Sequence, residues 1–293
     1  MREGGATRYP VCDVLRVSLS ICLLGCAASV APAGQTISHG DTADGWLENG
    51  VPIADEGEGF VRARPGESTR FGTPSLVGAL ERGAAEVARA FPGTPPLRIG
   101  DLSAPQGGRH SRHRSHRAGR DVDLIFYATT LDGTPTHGRG FVAYDRFGVG
   151  VASEEHGGGA LRFDEARNWH LVRTLLLDPE AEVQWVFVSN GLKARLLAYA
   201  AAHEPDSEVL FRAAWVLQQP SRGAPHDDHF HVRIACRPHE SAAAFDACRD
   251  RGPAWAWWRL AGEKRDSYAP LDDLGLLQAL LEEARDDVRL AAR

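Results

Sequence analysis

The sequence predicts an α+β fold in which helices flank a small, mostly antiparallel sheet. Two apolar segments, residues 122–127 and 183–188, have the length and the β-branched content of buried strands. A third segment, residues 229–234, also has the pattern of a strand. Between these segments, apolar residues recur every three or four positions, as they do in amphipathic helices. The mixture of strands and separate helices predicts the α+β class.

The order of elements follows from local signals. Thr73 is an N-cap residue, and Pro74 suits the first helical position. Pro92 and Gly93 end this first helix, and Asp164 begins the second. The predicted elements are a helix over residues 73–91, strands over 97–100 and 122–127, a helix over 163–176, a strand over 183–188, a helix over 192–203 and a strand over 229–234.

The N-terminus has the features of a secretory signal. Arg2 and Arg16 precede an apolar run at residues 17–28, and small residues follow at 31–33. Such a run is too short to span a membrane and predicts export, with residues 1–33 as the signal peptide. The segment before Cys26 also resembles a lipobox, so the alternative of a lipidated Cys26 stays open at this point.

Three further segments follow the signal. Residues 34–69 are polar and rich in glycine, which predicts a linker or weakly ordered lead-in. Residues 70–250 contain the predicted strands and helices and form the expected domain. Residues 251–293 contain three tryptophans and a leucine-rich helical pattern. We expect this helical tail to pack on the domain, and docking to a partner is the alternative.

Cysteine usage agrees with export. Three of the five cysteines lie in the predicted leader, which leaves Cys236 and Cys248 in the mature chain. Two cysteines twelve residues apart in an exported protein are expected to form a disulfide. Closing a loop of that length stabilises a fold by about 3 kcal/mol in the chain-entropy account.

Composition excludes some classes of function. The 293 residues are 43% hydrophobic and 25% charged, as in an ordinary globular protein, and the net charge is -6. This charge argues against a protein whose whole surface binds nucleic acid or acidic lipid. A local basic patch remains, with arginines at positions 109, 112, 114, 117 and 120. It could neutralise phosphates, but export and the acidic net charge disfavour nucleic-acid binding.

Six of the twelve histidines lie in two short clusters, at residues 110–116 and 226–231. Residues two apart in a strand point to the same face, so His229 and His231 can enter one pocket. Asp123 lies in an apolar strand, seven residues after His116, and burying its carboxylate is costly unless a cation pairs with it. Asp121 shares the face of Asp123, so strand parity allows either aspartate.

Two histidines and one carboxylate are a common ligand set for catalytic zinc, with a fourth position left for water. The same set suits other divalent metals. Taken singly, each histidine could instead be an ordinary surface or core residue. We accept that interpretation for the histidines outside the clusters, at positions 39, 137, 156, 170, 203 and 239, and favour it for His110 in the basic loop.

These motifs together resemble the penicillin-insensitive murein endopeptidases. The resemblance rests on the run at residues 99–109, on His113, His116 and Asp123, and on the cluster at 226–231 with the residues that follow it. This family belongs to a wider group of lysostaphin-type, D-alanyl-D-alanine-type and hedgehog-type zinc proteins. Their shared signature is His-x6-Asp followed much later by His-x-His. The resemblance extends from about residue 70 to Cys248.

The resemblance implies one zinc ion per chain, bound by His116, Asp123 and His231. It makes His229 the second catalytic histidine. It places three further residues along the site, which are His113, His226 and Asp121.

The implied reaction is hydrolysis of the D-alanyl to meso-diaminopimelyl cross-link of peptidoglycan by metal-bound water in a Gram-negative periplasm. Because no serine is acylated, β-lactams should not inhibit it. Peptidoglycan is the implied partner; nucleic acid is not, and contact with a membrane is expected only if Cys26 is lipidated.

Two other functions remain open on the sequence. One is a D-alanyl-D-alanine carboxypeptidase with the same zinc chemistry. The other is an inactive zinc-containing binding module. The arginines before His116 are also open to two interpretations, since Arg112 and Arg114 either hold substrate carboxylates or belong to a solvated basic loop.

Overall fold

The computed structural model describes residues 34–136, 140–241 and 247–255, together with Met1. The signal peptide, Cys26 and most of the predicted C-terminal helical tail therefore lie outside the described residues. No helix within the described part of the chain is long and apolar enough to cross a membrane.

The described residues form four α-helices and fifteen strands. The helices are α1 (Pro74–Ala90), α2 (Glu165–Leu177), α3 (Asn190–His203) and α4 (Ser207–Val216). The strands are β1 (Ile37–Asp41), β2 (Asp44–Glu48), β3 (Val51–Pro52), β4 (Glu56–Gly57), β5 (Phe60–Arg62), β6 (Phe71–Gly72), β7 (Leu97–Ile99), β8 (Asp121–Ile125), β9 (Ala128–Thr130), β10 (Pro135–Thr136), β11 (Val149–Val151), β12 (Ala160–Phe163), β13 (Val183–Phe187), β14 (Leu217–Gln218) and β15 (His229–Ile234).

The main sheet has seven strands in the order β14-β13-β15-β8-β7-β5-β4. The β13–β14 and β5–β7 pairs are parallel, and the other neighbours are antiparallel. The mixed α+β class and the mostly antiparallel pairing agree with the sequence prediction. The sheet is larger than predicted, because β4, β5 and β14 have only two or three residues each and show no readable alternation.

The two faces of this sheet differ in chemistry. Along β15, Phe230, Val232 and Ile234 are buried in the hydrophobic core, and Val122 and Leu124 of β8 join them. The alternate positions of both strands carry histidine, aspartate and arginine. Because side chains alternate across a strand, the apolar residues anchor the sheet against the core and leave the polar ones together on the opposite face.

The helices begin as their capping residues predict. The hydroxyl of Thr73 accepts a hydrogen bond from the amide of Leu76, and the carboxylate of Asp164 accepts one from the amide of Arg167. Such caps satisfy backbone donors that have no partner within the helix. Trp169 on α2 is buried in the core. Helix α4 was not predicted from the sequence, although Asp206 caps its first turn.

The expectation of a linker at residues 34–69 differs from the structure. This segment contains β1 to β5, and β5 pairs with β7 in the main sheet. Leu47, Ile53 and Phe60 are buried within it. The segment has few apolar residues, and its strands have only two to five residues each. A periodicity search therefore has too little signal to find them.

The predicted disulfide between Cys236 and Cys248 is present, with Cα atoms 5.7 Å apart. It fixes the chain after β15 beside β1. There, the amide of Arg249 donates a hydrogen bond to the carbonyl of Gly40 at 2.7 Å. Asp250 then forms an ion pair with the buried Arg120 at 2.8 Å. Residues 247–255 are thereby tied to the end of the sheet that lies next to Asp121.

Candidate metal centre

The site is built on the pairing of β8 with β15. Their register places Asp123 opposite His231 and Asp121 opposite Arg233. Residues directly opposite each other in neighbouring strands share a face of the sheet. The register therefore brings together side chains that lie more than 100 positions apart in the sequence.

His116 joins these residues from the loop before β8. It is fully buried, and its backbone has φ 64°, in the left-handed region that residues other than glycine rarely adopt. The Asp121 carboxylate accepts a hydrogen bond from the His116 amide at 3.2 Å and helps to hold this conformation. Backbone strain of this kind often marks a functional position.

The loop before His116 is closed by glycine at position 107. Gly107 has φ 63°, and a Cβ atom there would lie 2.0 Å from the carbonyl oxygen of Arg117. Only glycine allows this approach. This close contact is within the loop itself, and it helps to position His116.

Four histidine nitrogens surround the carboxylate of Asp123. Nε2 of His116, Nδ1 of His231 and Nε2 of His229 lie 3.2, 3.3 and 3.3 Å from its Oδ1 atom. Nε2 of His113 lies 3.4 Å from its Oδ2 atom. All the residues predicted for the site are therefore close together, and His226 joins them with its ring centroid 5.0 Å from that of His229.

Several of these buried polar atoms have no hydrogen-bond partner among the described residues. They are both nitrogens of His116, both carboxylate oxygens of Asp123 and Nε2 of His231. Leaving such groups unpaired costs free energy. A divalent cation would satisfy histidine nitrogens and a carboxylate oxygen at once, and this donor set is one that zinc accepts. The residues present therefore fit a metal ion.

The two aspartates differ in what neutralises them. The Asp121 carboxylate accepts hydrogen bonds from Nε of Arg233 at 2.7 Å and from Nη2 at 2.9 Å, so its charge is already paired. Asp123 has no arginine partner among the described residues. Burial raises the pKa of the Asp123 carboxyl, but the neighbouring His116 and His229 hold it well below its usual range. Asp123 is thus an ionised carboxylate without an arginine partner among the described residues. The ligand atoms that lie within 4.8 Å of one another form one group of His113, His116 and Asp123 and another of His116, Asp121 and His231.

His229 lies at the edge of the site. Its Nδ1 atom is 2.5 Å from a carboxylate oxygen of Asp228, and its Nε2 atom faces Asp123. Burial lowers the pKa of His229, but the carboxylates of Asp123 and Asp228 outweigh this and raise it to about 10. The His229 side chain is 13% exposed to solvent. His229 can therefore hold a proton where an incoming molecule can reach it.

Asp101 is a residue of the site that the sequence did not reveal as functional. Its carboxylate binds Arg64 at 3.0 Å and His113 at 3.0 Å, and it receives two hydrogen bonds from Arg112 at 2.9 and 3.0 Å. These contacts orient His113 toward Asp123. The one sequence signal was an acidic residue directly after the predicted strand at 97–100.

The arginines of the basic loop do not share one environment. Arg112 is bound to Asp101 and to Glu67, and Arg120 is buried against Asp250. Arg114 is exposed. These three arginines therefore do not form one continuous exposed basic surface.

Comparison with known proteins shows related sequences. A family model described as penicillin-insensitive murein endopeptidase matches residues 38–264. A protein of that name from Haemophilus influenzae is 27% identical over 239 residues, which cover 76% of this chain and 74% of that protein. Proteins of the same name from Yersinia enterocolitica and Yersinia pestis are 33% and 34% identical over 93 residues. Those alignments cover 31% of this chain and 33% of each relative.

The matched region is longer than the resemblance found in the sequence. It starts at residue 38 and so includes the strands of the expected linker, and it ends at residue 264, beyond Cys248. Both histidine clusters lie within it.

Proposed function

The chain belongs to the penicillin-insensitive murein endopeptidase family, and we propose on this basis that it is a zinc-dependent hydrolase of cross-linked peptidoglycan. The bond cleaved is the amide between D-alanine and meso-diaminopimelate of neighbouring peptide stems. The observation that carries the metal part of the proposal is the set of buried, unpaired donor atoms on His116, Asp123 and His231.

These three residues would hold one zinc ion. Zinc bound in this way supplies Lewis acidity, which makes water a better nucleophile and polarises an amide carbonyl. The Arg233–Asp121 pair supports the ligands from behind, because Asp121 also accepts the backbone amide of His116 and faces Nε2 of His231 at 3.4 Å. Supporting contacts of this kind fix the orientation of metal-binding side chains.

His229 is the proposed catalytic acid and base. Its proton goes to the leaving amine, and the imidazole then regains a proton from the attacking water. Asp228 holds Nδ1 of the imidazole, so Nε2 is the atom that exchanges the proton. The charge of the protonated His229 is stabilised by the same carboxylate. A positioned general acid of this kind accelerates a reaction by about 10²- to 10⁴-fold.

His226 has a different environment. Burial lowers its pKa to about 4, and the neighbouring His231 and His229 add to this effect. It is therefore neutral at physiological pH and adds no positive charge beside His229. Its φ of 56° places it, like His116, in the left-handed region. We propose that His226 lines the substrate side of the site.

The substrate lies outside the cytoplasm, so the proposal includes export to the periplasm. The disulfide between Cys236 and Cys248 suits an oxidising compartment. Lipidation of Cys26 is not part of the proposal, because nothing in the described residues supports it.

The test is the mass of the products from a defined muropeptide dimer. The zinc-loaded protein should convert the dimer into two monomers with the gain of one water molecule. Loss of a terminal alanine with the dimer left intact would identify a carboxypeptidase instead. No change of mass, with zinc bound, would identify a binding module without activity.

A further inference from the structure

A surface cavity of about 580 Å³ lies over the loop that precedes His116. The residues that line it all belong to the segment 109–117, and they include four arginines and no acidic residue. The mechanism above assigns no role to this cavity.

The four arginines differ in whether a carboxylate neutralises them. Arg112 is paired with Asp101 and with Glu67. The side chains of the other three form no ion pair or hydrogen bond with any described residue, and they are Arg109, Arg114 and Arg117. Three positive charges therefore remain around the cavity without compensation, and such a lining favours an anion.

The backbone of this loop is tied at both ends. The amide of Gly108 donates to the carbonyl of Arg117 at 2.9 Å, and the amide of Arg117 donates to the carbonyl of Thr42 at 3.2 Å. Arg109 follows Gly108 directly, so Arg109 and Arg117 start from neighbouring points of the backbone. The loop thus carries its uncompensated charges on an anchored backbone.

His113 connects the cavity to the metal centre. It lines the cavity, and its Nε2 atom lies 3.4 Å from Oδ2 of Asp123. Its side chain is still 22% exposed. The cavity is therefore one imidazole away from a proposed zinc ligand. A molecule that reacts at the metal centre can place a more distant group in the cavity.

The proposed substrate has an anion at such a distance. Diaminopimelate has two carboxyl groups, and a peptide stem uses only one of them in its chain. On the stem that supplies the scissile carbonyl, the free carboxylate is separated from that carbonyl by the alanine and by the whole diaminopimelate side chain. On the other stem, the free carboxylate is attached to the carbon that bears the scissile nitrogen, which is too close to the reacting bond to lie in this cavity.

We propose that the cavity is the subsite for the free diaminopimelate carboxylate of the stem on the carbonyl side, with Arg109, Arg114 and Arg117 as its binding residues. Arginine suits this ligand because it binds a carboxylate through two parallel hydrogen bonds. The inference rests on the proposed function and adds the residues that recognise one of the two stems.

The test compares three muropeptide dimers, one unmodified and two amidated at the free diaminopimelate carboxylate of one stem or the other. With the full-length, zinc-loaded protein, amidation on the carbonyl side should raise KM about threefold to tenfold and leave kcat nearly unchanged. Amidation on the amine side should leave KM unchanged. The difference should shrink with added salt, because exposed charges are screened.

Variants test the binding residues. Arg109→Gln combined with Arg114→Gln should raise KM for the unmodified dimer and have no effect on the dimer amidated on the carbonyl side. The corresponding double lysine variant should recover part of the loss. The matched control, Arg89→Gln combined with Arg162→Gln, removes two exposed arginines outside the loop and should leave KM unchanged. Unchanged zinc content and unfolding temperature in these variants separate a binding role from a structural one.

Three results would overturn the inference while leaving the proposed function intact. They are equal KM values for the three dimers, a KM increase only on amidation of the amine side, and an equal loss on amidated and unmodified dimers in the double glutamine variant. Cleavage of none of the dimers would contradict the proposed function itself. Calorimetry with a single uncross-linked tetrapeptide stem, as free acid and as amide, then decides the subsite, and equal affinities would exclude it.

Discussion

Arg233 holds the carboxylate of Asp121 with two parallel hydrogen bonds, from Nε to Oδ1 at 2.7 Å and from Nη2 to Oδ2 at 2.9 Å. Both side chains are buried. The pair neutralises one of the two aspartates on β8, and the other aspartate, Asp123, is left to face the histidines. The same Asp121 accepts the backbone amide of His116. One ion pair thus supports two of the three proposed ligands.

Replacing Arg233 by Gln should destabilise the protein strongly, because it leaves the buried Asp121 carboxylate without its partner. Breaking a buried pair in this way costs about 3–5 kcal/mol. Urea denaturation at pH 7 measures the change. Arg89→Gln is the control, since Arg89 is 75% exposed where it pairs with Glu86 and should change stability by less than about 1 kcal/mol. Equal effects of the two variants would show that the Arg233 pair is not a structural support.

Replacing His229 by Ala should leave zinc bound and remove most of the activity. His229 faces the site at its edge and is not needed to complete the proposed ligand set. The loss should be about 10²- to 10⁴-fold in kcat, as expected for a missing general acid and base. Zinc content and turnover on muropeptide dimers are measured on the same preparation. Near wild-type turnover would contradict the catalytic role, whereas loss of zinc would make His229 a ligand.

The two loop arginines that the sequence treats alike should behave differently. Arg112→Gln removes hydrogen bonds to Asp101, whose carboxylate is 1% exposed, and should cost about 1–2 kcal/mol of stability. Arg114→Gln changes an exposed residue and should have little effect on stability. Thermal unfolding of the two variants at equal ionic strength measures this difference. If the two variants unfold at the same temperature, Arg112 is a solvated residue of the basic loop and does not stabilise the fold.

Removing the disulfide should loosen the segment at residues 247–255. A variant with both Cys236 and Cys248 replaced by Ala should lose about 3 kcal/mol of stability if the chain-entropy account holds. Chemical denaturation of the oxidised wild type and the variant gives the difference. A wild-type protein as stable when reduced as when oxidised would contradict this prediction.

Much of the fold was predictable where local signals are strong. The caps at Thr73 and Asp164 and the apolar spacing after them predicted α1 and α2 to within a few residues. Helix α4 also has an aspartate cap and apolar residues at helical spacing, so its signal was present and missed. The strands at residues 34–69 could not be predicted in the same way. They are stabilised by pairing with distant strands, and strands of two to five residues carry little pattern of their own.

The residues of the site were also predictable only in part. Its histidines and aspartates are concentrated in two sequence clusters, and strand parity is enough to place His229 beside His231. The partner of Asp121 was beyond such reasoning, because Arg233 lies 112 residues away and meets it only through the β8–β15 register. Asp101 is similar, since its role depends on a loop folding back over a strand end. Long-range pairing is what the sequence alone does not specify.

The zinc content of purified variants shows whether His116, Asp123 and His231 form a zinc site. Elemental analysis should find about one zinc ion per chain in the wild-type protein and in His229→Ala. Alanine variants of His116, Asp123 and His231 should each lose most of it, while circular dichroism shows that they remain folded. Full zinc stoichiometry in both His116→Ala and His231→Ala would show that these residues are not the zinc ligands.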